Sequence, residues 1–241
     1  MQKLLPVLPV TLLLALPLTA SAQDVVGLWS TDIEFGYVSV SGNSESSSVK
    51  GRLDSKRESD NWRYHIHFDA LNTSEDDTRS AERYFLSNKI DYKFGERSYS
   101  FLHASYEDDR FSGYDWQAVI AAGYGYRLID RADMTWDIEG GPGYRVSKIA
   151  DSSQDDDERE GILRLQTDFE WHLTDNATFE QVLSVEHGSE NTVSRSTTSI
   201  KTTIIARLAM KLSYTVKYTD NVPTGTEHAD RETAVTLVYS F

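Results

Sequence analysis

Alternation with a period of two, sustained for ten residues or more at a time, is what most restricts the fold open to this chain. After Asn61 one parity reads Trp62, Tyr64, Ile66, Phe68 and Ala70, while the other reads Arg63, His65, His67 and Asp69. From Tyr114 the residues Trp116, Ala118, Ile120, Ala122, Tyr124, Tyr126 and Leu128 oppose Asp115, Gln117 and Arg127. The split recurs in Tyr84, Leu86, Ile90, Tyr92 and Phe94 against Lys89, Asp91 and Lys93, and in Leu163, Leu165, Phe169 and Trp171 against Arg164, Gln166, Asp168 and Glu170. Leu212, Tyr214, Val216 and Tyr218 oppose Lys211 and Lys217 in the same way. Successive side chains of a strand point to opposite faces, so these are strands with one apolar and one polar face. Strands of soluble sandwiches average about five to six residues. Apolar faces of this length suit a closed barrel that turns them toward lipid.

Twelve strands are predicted, at 28–41, 45–57, 61–71, 80–94, 98–108, 113–129, 133–147, 160–173, 177–187, 194–208, 210–220 and 229–241. Ile33, Phe35 and Tyr37 compete with Val38 and Val40 in the first, and both parities are apolar near Tyr99, so a bulge in each would reconcile the pattern. Tight turns at 58–61, 95–97, 130–133 and 174–176 fall on the side of both termini. Longer polar links at 72–79, 148–159, 188–193 and 221–228 fall on the other, the loop asymmetry of bacterial outer-membrane barrels. Trp29, Trp62, Trp136 and Trp171, with Tyr92, Phe94, Tyr239 and Phe241, sit at the strand ends on the side of the tight turns and would form an interfacial girdle. Phe111, Tyr114 and Trp116 would belong to the opposite belt.

Composition excludes several alternatives. Lys3, the apolar run Leu4 to Leu18 and the small residues Ala20, Ser21 and Ala22 have the layout of a secretory signal peptide over 1–22, leaving a single barrel domain over 23–241. Without Lys3 the chain carries 23 basic and 38 acidic residues, so no basic footprint for nucleic acid exists. There is no cysteine, hence no disulfide scaffold or thiolate zinc site. A mean hydropathy of −0.48 is compatible with a barrel, in which only alternate residues need be apolar. Val235, Leu237, Tyr239 and Phe241 end the chain on an aromatic, resembling the signal read by the outer-membrane barrel assembly machinery.

The run Ser105-Tyr106-Glu107, Asp109 to Tyr114, Ala122 to Arg127 and Gly140 to Arg145, with Gly42, Asn43 and the Leu237 to Phe241 ending, resembles the salt-induced outer-membrane proteins, a family of unknown function. That resemblance covers essentially the whole mature chain and implies a single outer-membrane barrel. It brings no catalytic residue, ligand or cofactor with it.

The polar parity would line the interior with Lys50, Arg52, Asp54, Arg63, Asp69, Lys89, Asp91, Lys93, Arg127, Asp137, Glu139, Arg164, Asp168, Glu170, Glu180, Glu186, Lys201, Arg207, Lys211 and Lys217. Opposite charges there can pair across the lumen and occlude it. Gly123, Gly125 and the Gly140 to Gly143 cluster lack a following helix, so they read as inward glycines that bend strands or make room, not as a nucleotide loop. The acidic stretch with Asp151, Asp155, Asp156, Asp157, Glu158 and Glu160 lacks the order of a calcium loop and reads as solvated. His65 and His67 read as hydrogen-bonded lumen histidines rather than metal ligands. His187, Ser189 and Asn191 lack the third group of a hydrolase. The expected function is therefore that of an envelope component with a structural or narrow-permeation role linked to salt or osmotic conditions, not an enzyme, with a ligand-, lipid- or partner-binding barrel as the alternative and an outer-membrane lipase-like hydrolase as a remote one. Its expected partners are outer-membrane lipids, lipopolysaccharide and the assembly machinery, with the barrel itself monomeric. Ile204 is expected to face lipid near mid-membrane, and Thr203 the lumen.

Overall fold

Each alternating segment becomes one strand, because a pleated chain with a single apolar face satisfies its backbone only against neighbours of the same kind. A computed structural model describes residues 29–41, 46–75, 78–109, 113–149, 157–222 and 226–241. The leader expected over 1–22, Phe111, Asp151, Asp155 and Asp156 lie outside the described residues. The strands are β1 (Trp29–Ser41), β2 (Ser46–Glu58), β3 (Trp62–Glu75), β4 (Thr78–Lys93), β5 (Ser98–Asp109) and β6 (Tyr114–Arg131), followed by β7 (Met134–Ile149), β8 (Asp157–Thr174), β9 (Ala177–Gly188), β10 (Thr192–Ile205), β11 (Leu208–Thr219) and β12 (Ala229–Ser240). Each pairs antiparallel with its sequence neighbours, and β1 pairs with β12 from Asp32↔Ser240 to Ser41↔Arg231, so the sheet closes.

The wall is inverted relative to a soluble protein. Phe35 is 66% exposed and Leu165 51%, whereas Arg145 and Asp91 are each 1% exposed. Only a lipid surround makes this distribution favourable, since each apolar side chain in water forgoes roughly 1.5–3 kcal/mol. Trp29, Trp62, Trp136, Trp171, Tyr239 and Phe241 all stand on the outer surface. They pack among themselves and their neighbours: Trp62 on Tyr92 at 4.9 Å, Trp29 near Tyr64 at 6.5 Å, Trp136 edge-on to Phe169 at 6.3 Å, and Tyr239 against Phe241 at 5.0 Å between ring centroids.

Several expectations are corrected. β1 and β5 need no bulge: Val38 turns inward with Leu71 and Ala234, and Tyr99 and Phe101 turn inward with Ala121, so two small apolar clusters inside the lumen explain the double parity. Register shifts occur instead at Thr73/Ser74, Tyr114/Trp116, Arg127/Ile129, His172/Thr174 and Thr203/Ile205. The shift at Tyr114/Trp116 buries Tyr114 inside, while Trp116 stacks on Tyr106 outside at 6.0 Å, so Tyr114 does not join the outer belt. The 72–79 link contracts to 76–77 and the 188–193 link to 189–191, because strands that project beyond the bilayer are wet on both faces and carry no apolar signal. Arg207 sits with Ala206 in the exposed β10–β11 turn, Ala206 at φ 47°, and not in the lumen. Ile204 faces outward beside that turn, away from mid-membrane.

Candidate functional site

The lumen is the candidate site, and its outer third is crossed by charge pairs. Near the outer end of β5, Glu107 accepts hydrogen bonds from Arg195 Nη2 on β10 (3.1 and 2.9 Å to its two oxygens) and from Lys217 Nζ on β11 (3.0 Å). β5 and β11 lie six strands apart in a twelve-strand ring, so this contact crosses the full width of the barrel. Beside it Lys50 reaches Asp69 at 2.8 Å, Arg83 reaches Asp69 at 3.3 Å, and both cations bind Glu232 of β12. The guanidinium of Arg195 also lies over the Phe85 ring, 5.2 Å from its centroid. At the mouth above, Arg145 Nε donates to Glu160 at 3.0 Å and Arg145 Nη2 to the Asn191 carbonyl at 2.6 Å. The Asn191 amide in turn donates to the Tyr114 hydroxyl and the Asn221 carbonyl, which folds the 189–191 link onto the rim. Most of these groups are nearly dry, the Glu107 and Lys217 side chains being each 9% exposed and that of Lys50 2%, while Arg83 keeps 19% and Arg195 28%. Charges held so far from water persist only when paired and hydrogen-bonded.

The middle of the lumen is organised by an aromatic ring. The Tyr99 hydroxyl donates to Glu139, which also pairs with Lys89 and, at 3.2 Å, with Arg164. Arg63 and Lys89 lie over the Tyr99 ring at 4.8 and 5.4 Å. Tyr99 fits there because residue 125 has no side chain: a Cβ on Gly125 would stand 2.1 Å from the ring. Gly125→Ala is therefore expected to displace Tyr99 and cost about 1–3 kcal/mol of stability, the usual range for overpacking, measured as a shift in urea midpoint in lipid vesicles. Gly123 and Gly141 likewise let β6 and β7 approach, since a Cβ on either would meet the backbone of the other strand.

Toward the termini the pairing loosens. Arg63 bridges Asp91 (2.6 Å) and Asp137 (2.9 Å), and Arg127 also holds Asp137 at 2.8 Å. Lys201 reaches Asp32 at 3.2 Å, and Lys211 reaches Glu34 at 3.1 Å and Glu180 at 3.4 Å. His65 and His67 both bond one oxygen of Asp54, at 3.1 and 2.7 Å. Exposure varies here from 1% at Asp91 to 36% at the His65 side chain, and an internal cavity of about 790 Å³ extends along the barrel interior, lined by these residues and by the Glu107 knot alike.

Arg52, Asp54, Arg63, Asp69, Lys89, Asp91, Arg127, Asp137, Arg164, Asp168, Glu170 and Lys201 line this cavity, and Glu139 is buried inside the barrel against Tyr99, Lys89 and Arg164, which leaves Arg207 as the misplaced one of that set. Glu107, Arg195, Arg83, Glu232 and Glu34 escaped the sequence reading. Glu107 shares the parity of Tyr99 and Phe101, whose bulk hid the inward face of β5, although that same parity also carries His103. The His187 imidazole bonds Thr192 at 2.8 Å, on the outer wall, and Asn191 is committed to Tyr114 and Asn221, so no nucleophile–base pair forms there. Asp54, His65 and His67 are the residues best placed to approach a metal, but among the described residues no group of three or more metal-ligating side chains converges.

Known proteins agree with this architecture. The chain is 30% identical over 255 residues to the uncharacterized protein YdiY of Escherichia coli K12, with 99% of this chain and 100% of YdiY covered. The solved NanC porin matches at a TM-score of 0.59 with 10% identity, covering 88% of this chain and 100% of that one. The translocator domain of the autotransporter NalP from Neisseria meningitidis matches at 0.53 with 13% identity, covering 91% and 90%. These likenesses extend over the barrel as a whole and share its fold, that of bacterial outer-membrane proteins. With its family profile matched across residues 33–241, the chain belongs to DUF481, the family described as protein of unknown function.

Proposed function

We propose that the protein is a narrow conduit of the outer membrane, constricted at its outer third by the Glu107 contact, and that it catalyses no reaction. The observation that carries this reading is that contact itself, which joins opposite walls across a charge-lined cavity extending along the barrel interior. A barrel serving only as an anchor would gain more stability from apolar filling, because burying charge pairs is at best about neutral against well-packed hydrophobic side chains. A lumen lined with charge instead keeps water and ions at hand. The cations and carboxylates are interspersed, so no large single-sign field selects strongly for anions or cations.

The apolar wall supports lipid acyl chains and, at the outer rim, lipopolysaccharide as its surroundings, and the alternating apolar residues Val235, Leu237 and Tyr239 of β12 are what we take the assembly machinery to read. The closed twelve-strand ring leaves no strand edge to pair, which favours a monomeric unit. Planar-bilayer recording of the purified protein in salt alone tests the proposal. Small, resolved current steps are expected. Complete silence over the full voltage range would overturn it in favour of a binding or structural role.

A further inference from the structure

Most lumen charges are spoken for by a partner, and two that are not face each other. Lys56 on β2 and Asp168 on β8 both line the cavity, yet neither forms an ion pair within 4.0 Å among the described residues. β2 and β8 are six strands apart, on opposite walls. Their depths match: Arg57, next to Lys56, pairs with Trp29, and Phe169, next to Asp168, packs on Trp136, so both charges sit just inside the inner aromatic girdle. Their neighbours are mixed in sign. His65, the cross-strand partner of Lys56, is bonded to Asp54, and Asp54 and Glu58 share the inward face of β2 with Lys56. Glu170 shares the inward face of β8 with Asp168, whose two oxygens accept, among the described residues, from the Gln166 amide alone, at 3.0 and 2.7 Å. Lys56 also acts electrostatically on Glu180, on the strand beside β8, without touching it. One wall of the periplasmic mouth thus offers an unpaired ammonium group and the facing wall an unpaired carboxylate, with the cavity between them.

We infer that this mouth selects small zwitterionic solutes, with Lys56 receiving a carboxylate and Asp168 an ammonium group. This rests on the permeation reading and adds the substrate class to it. A solute carrying both charges satisfies both walls at once. A simple anion or cation is attracted by one wall and repelled by the other, and a neutral solute gains nothing. The two residues set specificity by orienting the solute across the axis.

The test uses γ-aminobutyrate as probe and 4-hydroxybutyramide as a neutral solute of similar size, with the intact barrel in liposomes. Swelling rates are expected to favour the zwitterion by about fivefold, the ratio that corresponds to one screened charge contact. Lys56→Gln and Asp168→Asn should each abolish the preference, whereas Lys56→Glu combined with Asp168→Lys should restore it, because a reversed field orients a zwitterion equally well. Saturation-transfer NMR in micelles reports binding independently of flux. Binding of γ-aminobutyrate that is lost in Lys56→Gln, without any swelling, would refute permeation while sustaining the recognition site. Flux with equal rates for both solutes would overturn the site while sustaining permeation.

Discussion

Glu107→Gln opens the barrel: single-channel conductance in planar bilayers is expected to rise several-fold over that of the unaltered protein. One carboxylate at present binds both Arg195 and Lys217, which arrive from the opposite wall. An amide in its place holds neither cation firmly, and the two withdraw toward the wall they come from. The same change leaves the nearly dry Lys217 and the wetter Arg195 without this partner, at a cost of up to about 3–5 kcal/mol, readable as a lower urea midpoint for unfolding from lipid vesicles. Adding Arg195→Gln and Lys217→Gln to Glu107→Gln separates these effects. The triple change removes the stranded charge and should recover much of the stability, while conductance stays high because nothing spans the lumen any longer. Unchanged conductance in both variants would place the barrier elsewhere.

The second large effect concerns the outer wall. Leu165→Arg puts a guanidinium in the lipid-facing band of β8, between the girdle residue Trp171 and the outer end of the strand, and is expected to cost about 2–4 kcal/mol in vesicle refolding. Ile204→Arg should cost only about 0–1 kcal/mol, since Ile204 lies beside the β10–β11 turn where an arginine reaches the headgroups. Equal penalties would contradict the depth that the strand register assigns to the two positions. The pair therefore probes depth at constant facing, whereas a comparison of Leu165 with its inward neighbour Arg164 would probe facing alone.

Strand positions were legible because the alternation is a direct imprint of two solvents, lipid outside and water within. Where both faces meet water, as in β3 and β4 beyond Leu71 and Tyr84, the imprint vanishes and those strands were read too short. Where the interior itself is apolar, as at Val38, Tyr99 and Phe101, it doubles, and facing became ambiguous. The lining of the lumen could be read from parity, but the identity of partners could not. Nothing in the sequence says that Lys217 meets a carboxylate 110 residues away, because partners across a closed ring are fixed by strand count and stagger rather than by local spacing. Arg207 was misassigned for a related reason: a two-residue turn with Ala206 at positive φ carries no glycine or asparagine to mark it.

The seam of the cylinder joins its first strand to its last, and the final amide, that of Phe241, donates to the carbonyl of Thr31. The ring thus closes between the two strands that lie farthest apart along the chain, so neither flank is satisfied until every strand between them has taken its register. A slip at any single pairing is carried round the circumference and misaligns the two flanks where they meet, which makes closure an all-or-none event.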